Sequence, residues 1–258
     1  MVYLELKNVT KTYSGVVPYE AIRRVNLKVP KGEFVSIMGP SGSGKTTLLN
    51  LIATLDRPTN GSIFLNQKEP HQLKKDEMAK FRRRELGFVF QEANLLKTLS
   101  VRENIMLPLT LDKVPVAEMK EKAEALMEAV AITPLADKRI YEISGGEAQR
   151  VAIARALIHE PSLILADEPT GNLDSQAAGN VMKLLAQMNR EKEVTTLMVT
   201  HDAVSASYSH RVIFIKDGQL YNEIYCGESR KIFFQSIMDV LAHLGGVNHE
   251  FQAPPVFQ

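Results

Sequence analysis

The residues Gly39-Pro40-Ser41-Gly42-Ser43-Gly44-Lys45-Thr46-Thr47 restrict this chain more than any other stretch. They fit G-x-x-x-x-G-K-[ST], the Walker A phosphate-binding loop. A loop this rich in Gly and Ser can turn its backbone N–H groups inward onto phosphate oxygens. Lys45 then reaches the β- and γ-phosphates as a point charge, and the Thr46 hydroxyl is the expected ligand of Mg²⁺. The flanks agree. Residues 33–38, Glu-Phe-Val-Ser-Ile-Met, read as a buried strand feeding the loop. Residues 46–52 read as a helix whose positive N-terminus faces the phosphates. The loop predicts an α/β core and a nucleoside triphosphate. What the energy drives must come from the rest of the chain.

Bulk properties narrow the field. A length of 258 residues suits one large α/β domain, with or without a subdomain. The formal net charge of +1 gives no electrostatic case for a nucleic-acid partner, and Arg82-Arg83-Arg84 reads as a solvated helix face. A single cysteine, Cys226, excludes an intramolecular disulfide or a Cys-rich metal site. Residues 1–5 lack the basic and apolar regions of a secretory signal. No apolar run approaches the roughly 18–20 residues of a membrane span. The expectation is a cytosolic chain, held at a membrane only through another protein.

Taken in order, residues 4–9 alternate apolar and polar as a half-buried strand, and residues 11–15 read as a turn. Residues 22–29 form a second run that ends at Pro30-Lys31-Gly32, so the opening is predicted to be antiparallel. Tyr13 is a flat aromatic upstream of the loop, able to stack on adenine. Residues 62–65 read as a short strand, residues 71–85 as a polar surface helix, and residues 86–90 as a buried strand with Gln91 at its end. The Gln91 amide oxygen could ligate Mg²⁺ if that strand end points at the phosphates. From 92 to about 143 the pattern is helical. Val116, Met119, Ala123, Leu126, Met127 and Val130 recur near 3.6 spacing and read as core packing, so this segment is predicted to be an inserted helical subdomain.

Ser144-Gly145-Gly146-Glu147 runs straight into a helical stretch through His159, which makes a second anion-binding helix end. Two such ends on one chain are unexpected if each protomer holds one nucleotide alone. Each is explained as half of a composite site, completed by another copy of the chain. Residues 163–166 are apolar and lead into Asp167 and Glu168, the Walker B form. Asp167 can hold the Mg²⁺ shell, and Glu168 sits near where water would attack the γ-phosphate. Residues 175–190 read as helix and 194–200 as a buried strand, with His201 at its end. Polar groups thus gather at the carboxyl ends of the strands, where open α/β sheets bind ligands. Residues 211–216 and 219–224 flank Asp217-Gly218 as a hairpin. Residues 230–244 read as an amphipathic helix, and the tail through Pro254-Pro255 is expected to fray.

Together these motifs resemble the ATP-binding subunit of ABC (ATP-binding cassette) transporters, over roughly residues 1–227. Tyr13 matches the A-loop, residues 39–47 Walker A, Gln91 the Q-loop, and Ser144-Gly145-Gly146-Glu147 the signature. Residues 163–168 match Walker B, Asn172-Leu173-Asp174 the D-loop, and His201 the switch histidine. Glu147 departs from the usual signature glutamine. The resemblance implies a P-loop NTPase core with an antiparallel β subdomain, a helical subdomain at about 92–160 and a C-terminal helical extension from 228. It also implies ATP and Mg²⁺ as ligands, and catalysis by Glu168, His201 and Lys45. The implied partners are a second copy in a head-to-tail ATP sandwich and an integral membrane permease. The permease's coupling helix would enter the groove beside the Gln91 strand. Residues 207–218, 233–238 and 244–247 further resemble Bce-type bacitracin-resistance exporters, which implies antimicrobial-peptide resistance beside a sensor histidine kinase, at the cytoplasmic face of the membrane. The branch also holds lipoprotein-release, macrolide-efflux and cell-division ATPases, and the motifs alone do not separate these. One unbroken cassette without heptads or Cys pairs argues against a soluble DNA-repair or ribosomal ATPase.

Overall fold

The computed structural model describes residues 1–244. The tail with Pro254-Pro255, and Gly245-Gly246-Val247 of the Bce-like run, lie outside the described residues. Strands β1 (Val2–Tyr13) and β2 (Tyr19–Pro30) pair antiparallel. After β3 (Phe34–Met38) and helix α1 (Lys45–Ile52), strand β4 (Asn60–Leu65) joins the other edge of β1, giving a three-stranded sheet in the order β2-β1-β4. Helix α2 (Lys75–Glu85) precedes β5 (Leu86–Phe90). Helices α3 (Val101–Leu111), α4 (Val116–Ala129) and α5 (Gly145–Leu157) follow before β6 (Leu163–Asp167). Helix α6 (Ser175–Lys192), β7 (Thr195–Val199), the short α7 (Ala203–Ala206), β8 (Arg211–Lys216), β9 (Gln219–Tyr225) and α8 (Arg230–Leu244) complete the described chain.

The second sheet has the order β5-β6-β7-β3-β8-β9 and is parallel except for the β8–β9 hairpin. Its inner strands are continuous apolar runs because both faces are covered. Phe34, Ile164, Ala166 and Met198 face one cluster with buried residues of α3 to α6. Val35, Ile37, Leu165, Leu197 and Ile213 face the other way, into a cluster shared with α1 and the antiparallel sheet. Phe233, Ile237 and Leu244 dock α8 on Met38, Val212 and Phe214.

Three local readings change. Lys11–Tyr13 belong to β1 and are not a turn, because β2 partners all three. His71 lies in a 3₁₀ turn at Pro70–Gln72 and is buried, with Nε2 2.9 Å from the Leu51 carbonyl oxygen, so that stretch is not all surface. The Arg82–Arg84 run is tied down. Arg82 donates to the Thr54 carbonyl, and Arg83 and Arg84 share Asp112 at 2.6 and 2.9 Å. A polar pattern on one helix does not reveal a partner some thirty residues away.

Candidate functional site

Strand register builds the site. Phe90, Asp167 and Val199 stand level across β5, β6 and β7, and Val199 is level with Ile37 of β3. The residues just beyond are therefore brought to one sheet edge: Gln91, Glu168, His201 and the loop from Gly39. The sequence placed these groups about thirty to eighty residues apart, and the parallel ladder makes them neighbours.

The loop is pinned from outside. Gly44 has φ +102, and a Cβ there would lie 2.5 Å from the Ala21 carbonyl oxygen, so both its conformation and its surroundings demand glycine. Tyr19 donates its hydroxyl to Gly42 O at 3.0 Å, and Gly218 N–H donates to Ser43 O at 3.1 Å. Lys45 Nζ donates to Gly39 O and Pro40 O, each at 2.8 Å. Burial pushes the Lys45 ammonium below its ordinary pKa, against the pull of Glu168 and Asp167. Asp167 moves the opposite way. Burial and the neighbouring Glu168 charge raise its pKa, and Lys45 opposes them.

Glu168 has φ +46, a left-handed conformation that costs a non-glycine residue about 1 kcal/mol. Its N–H donates to Val199 O at 2.9 Å and its carbonyl accepts from Gly171 N–H at 3.0 Å, which hold it there. The result is aim: Glu168 Oε2 stands 2.9 Å from His201 Nδ1. Gln91 Nε2 donates to Asn172 Oδ1 at 3.1 Å, and among the described residues its amide oxygen accepts no hydrogen bond.

The residues fit a triphosphate and Mg²⁺. Ser43 Oγ is buried in the loop without a partner, as a hydroxyl reserved for a phosphate oxygen would be. Among the described residues, no three His, Cys, Asp or Glu side chains form a metal site. The donors Thr46, Gln91 and Asp167 are too few to cage an ion. They suit Mg²⁺, which takes its remaining ligands from phosphates and water.

The second helix end is built differently. Ser144 caps α5, and a Cβ on Gly146 would lie 3.2 Å from Ala177 Cβ, so α5 starts hard against α6. Glu147 folds back. Its Oε2 accepts from Ser144 N–H at 2.7 Å and from Ser144 Oγ at 2.8 Å, while Glu147 N–H donates to Ser144 Oγ at 3.3 Å. This is a capping box, legible as S-x-x-E. The hydrogen bonds from Ser144 hold the Glu147 carboxyl below the usual range. No hydrogen bond or ion pair among the described residues joins this corner to the loop of the same chain.

Several supporting contacts escaped the motif reading. Tyr13 is partly exposed, and its hydroxyl donates to Asp56 at 3.0 Å. Lys11 bridges to Asp56 at 2.6 Å and lies 4.8 Å from the centre of the Tyr13 ring. Gln149 is buried and donates to the Phe90 carbonyl at 2.8 Å, tying α5 to the end of β5. A polar residue at a core position of a helix was the available signal for Gln149. Beside β5 lies a groove of about 530 Å³, walled by Phe88, Phe90, Leu107, Leu111 and Arg155.

Comparison with known proteins points to one family. Residues 22–171 match the model of the ABC transporter family. The chain is 58% identical over 243 residues to the ABC transporter ATP-binding protein YxdL of Bacillus subtilis, covering 94% of this chain and 95% of that one. It is 50% identical over 252 residues to the bacitracin export ATP-binding protein BceA of Halalkalibacterium halodurans, covering 97% and 100%. Among solved structures it is similar to the dimeric post-hydrolysis state of the cassette MJ0796 of Methanocaldococcus jannaschii, bound to ADP and Pi. That match has a TM-score of 0.79 and 42% identity, over 88% of this chain and all of that one.

Proposed function

The chain belongs to the ABC transporter ATP-binding family and is an ATPase, and from that premise we propose that two copies close head-to-tail on two ATP molecules to drive a membrane permease. One observation carries the proposal: a single chain holds two unlike phosphate half-sites, the loop before α1 and the capped start of α5. In the closed pair, the loop of one copy meets the Ser144–Gly146 corner of the other. The MJ0796 cassette, similar over its whole length, was solved as a dimer.

The chemistry follows from the placed groups. Residues 39–47 and Lys45 hold the triphosphate, and Tyr13 stacks on adenine. When bound, Mg²⁺ neutralises charge on the β- and γ-phosphates, and Thr46, Gln91 and Asp167 would hold it. Glu168 orients the attacking water and takes its proton. His201 meets Glu168 through Nδ1, 2.9 Å from Oε2, and its other ring nitrogen serves the γ-phosphate. Lys45 and the start of α5 stabilise the charge that spreads over the transferring group. Among the described residues no helix is long and apolar enough to cross a membrane. In this reading the permease holds the pair at the cytoplasmic face, with its coupling helix in the groove beside β5.

The permease we infer handles antimicrobial peptides of the bacitracin kind, beside a sensor histidine kinase. Two points support this over lipoprotein release, macrolide efflux or cell division. BceA and this chain align over nearly their full lengths. The YxdL and BceA matches also reach 94% and 97% of this chain, where the MJ0796 match reaches 85%.

The test is Glu168→Gln in the permease-bound protein. ATP affinity should stay within about twofold while turnover falls about 100-fold or more. Wild-type turnover would remove Glu168 from the role of base. Copurification from membranes with the permease identifies the partner.

A further inference from the structure

We propose that the Glu147 carboxylate is a built-in brake on dimer closure, engaging the Ser144 hydroxyl that the second copy's ATP must reach. The inference rests on the composite-site reading above.

Two hydrogen bonds define the brake. Ser144 gives both its N–H and its only hydroxyl proton to Glu147 Oε2, at 2.7 and 2.8 Å. The γ-phosphate arriving from the other copy needs that same proton. It must also share the partial positive charge at the start of α5 with a carboxylate already seated there. Two anions at one helix end repel, and the repulsion grows as closure removes water. Protonation offers no release near neutral pH, because the bonds from Ser144 hold Glu147 ionised. Closure therefore requires the carboxylate to swing off Ser144, and that rearrangement weakens ATP-driven dimerisation.

Glutamine at this position would cap without braking. The capping box accepts Gln as well as Glu, since a side-chain oxygen still reaches the Ser144 N–H. Its neutral amide does not oppose phosphate. Glu147→Gln thus removes the charge while leaving the start of α5 intact.

Sedimentation of the full-length chain tests this, using Glu168→Gln with and without Glu147→Gln in saturating Mg-ATP. At low salt the double variant should dimerise with a dissociation constant about fivefold lower, and the gap should narrow at high salt as the repulsion is screened. Equal thermal melts establish that the helix start is unharmed. If the double variant dimerises equally or more weakly at low salt, the brake is overturned. If neither variant forms an ATP-dependent dimer, the composite-site reading fails and the brake falls with it.

Discussion

The loop before α1 and the start of α5, the two halves of the proposed ATP site, are built in opposite ways. The loop is fixed by other parts of the chain. Tyr19 from β2, Gly218 from the β8–β9 turn and the packed backbone at Ala21 all bear on it. Its charged groups are partly buried, so Lys45 and Asp167 are displaced from their ordinary titration ranges in opposite directions. The α5 corner is exposed at Ser144 and Gly145, and its hydrogen bonds close within four residues of sequence. The loop carries a desolvation cost that a bound nucleotide relieves. The corner has little such cost, because its own carboxylate satisfies it.

Variants can break or sharpen this contrast. The largest expected effect separates the halves outright. Lys45→Ala should weaken ATP binding to the single chain about 100-fold, whereas Ser144→Arg should leave that binding within about twofold and lower turnover of the assembled transporter about 100-fold. Equilibrium nucleotide binding and phosphate release measure the two readouts. A loss of single-chain binding in Ser144→Arg would mean that the corner serves its own loop.

A smaller effect reports the buried charge on the loop side. Because the Asp167 pKa is raised by burial and by Glu168, the folded chain holds that proton more tightly than the unfolded chain. The associated stability is present below the ordinary Asp range and is lost as pH rises through the raised value. Asp167→Asn should therefore raise the Tm of the nucleotide-free chain at pH 7 by about 2 °C, with the gain shrinking as pH falls toward 4. Calorimetry across pH checks the sign. A gain that grows on acidification would refute the assignment.

The smallest effect concerns the outer pin of the loop. Tyr19→Phe removes one exposed hydrogen bond to Gly42 O, and should raise the KM for ATP about twofold at unchanged kcat. A fall in kcat instead would show that the pin shapes the transition state.

Particular residues show why some of this was legible and some not. The phosphate loop, the apolar run into Asp167-Glu168 and the Ser-Gly-Gly corner are local patterns in which adjacent residues do one job. The capping box of Ser144 and Glu147 was equally local; its spacing was present in the sequence, and reading the corner only as an anion site passed over it. Tyr13 was visible as an aromatic. Its brace was not, because Asp56 lies forty-three residues further along and meets Tyr13 only when β1 passes beyond the end of α1. Gln149 was visible as a letter in a helix, and its bond to Phe90 depends on α5 lying across β5.

By itself, the sequence determined the order of the strands and helices along the chain, the glycine-rich loop that opens α1 and the Ser-Gly-Gly start of α5. Those depend on backbone conformation and side-chain chemistry within a few residues. Tertiary structure alone decided which distant groups share an edge, how Glu168 turns into a left-handed conformation to meet His201, and which charges are forced from their usual protonation ranges. Register between parallel strands, and the water that packing excludes, are properties of surfaces brought together from remote segments, so no local stretch of the chain encodes them.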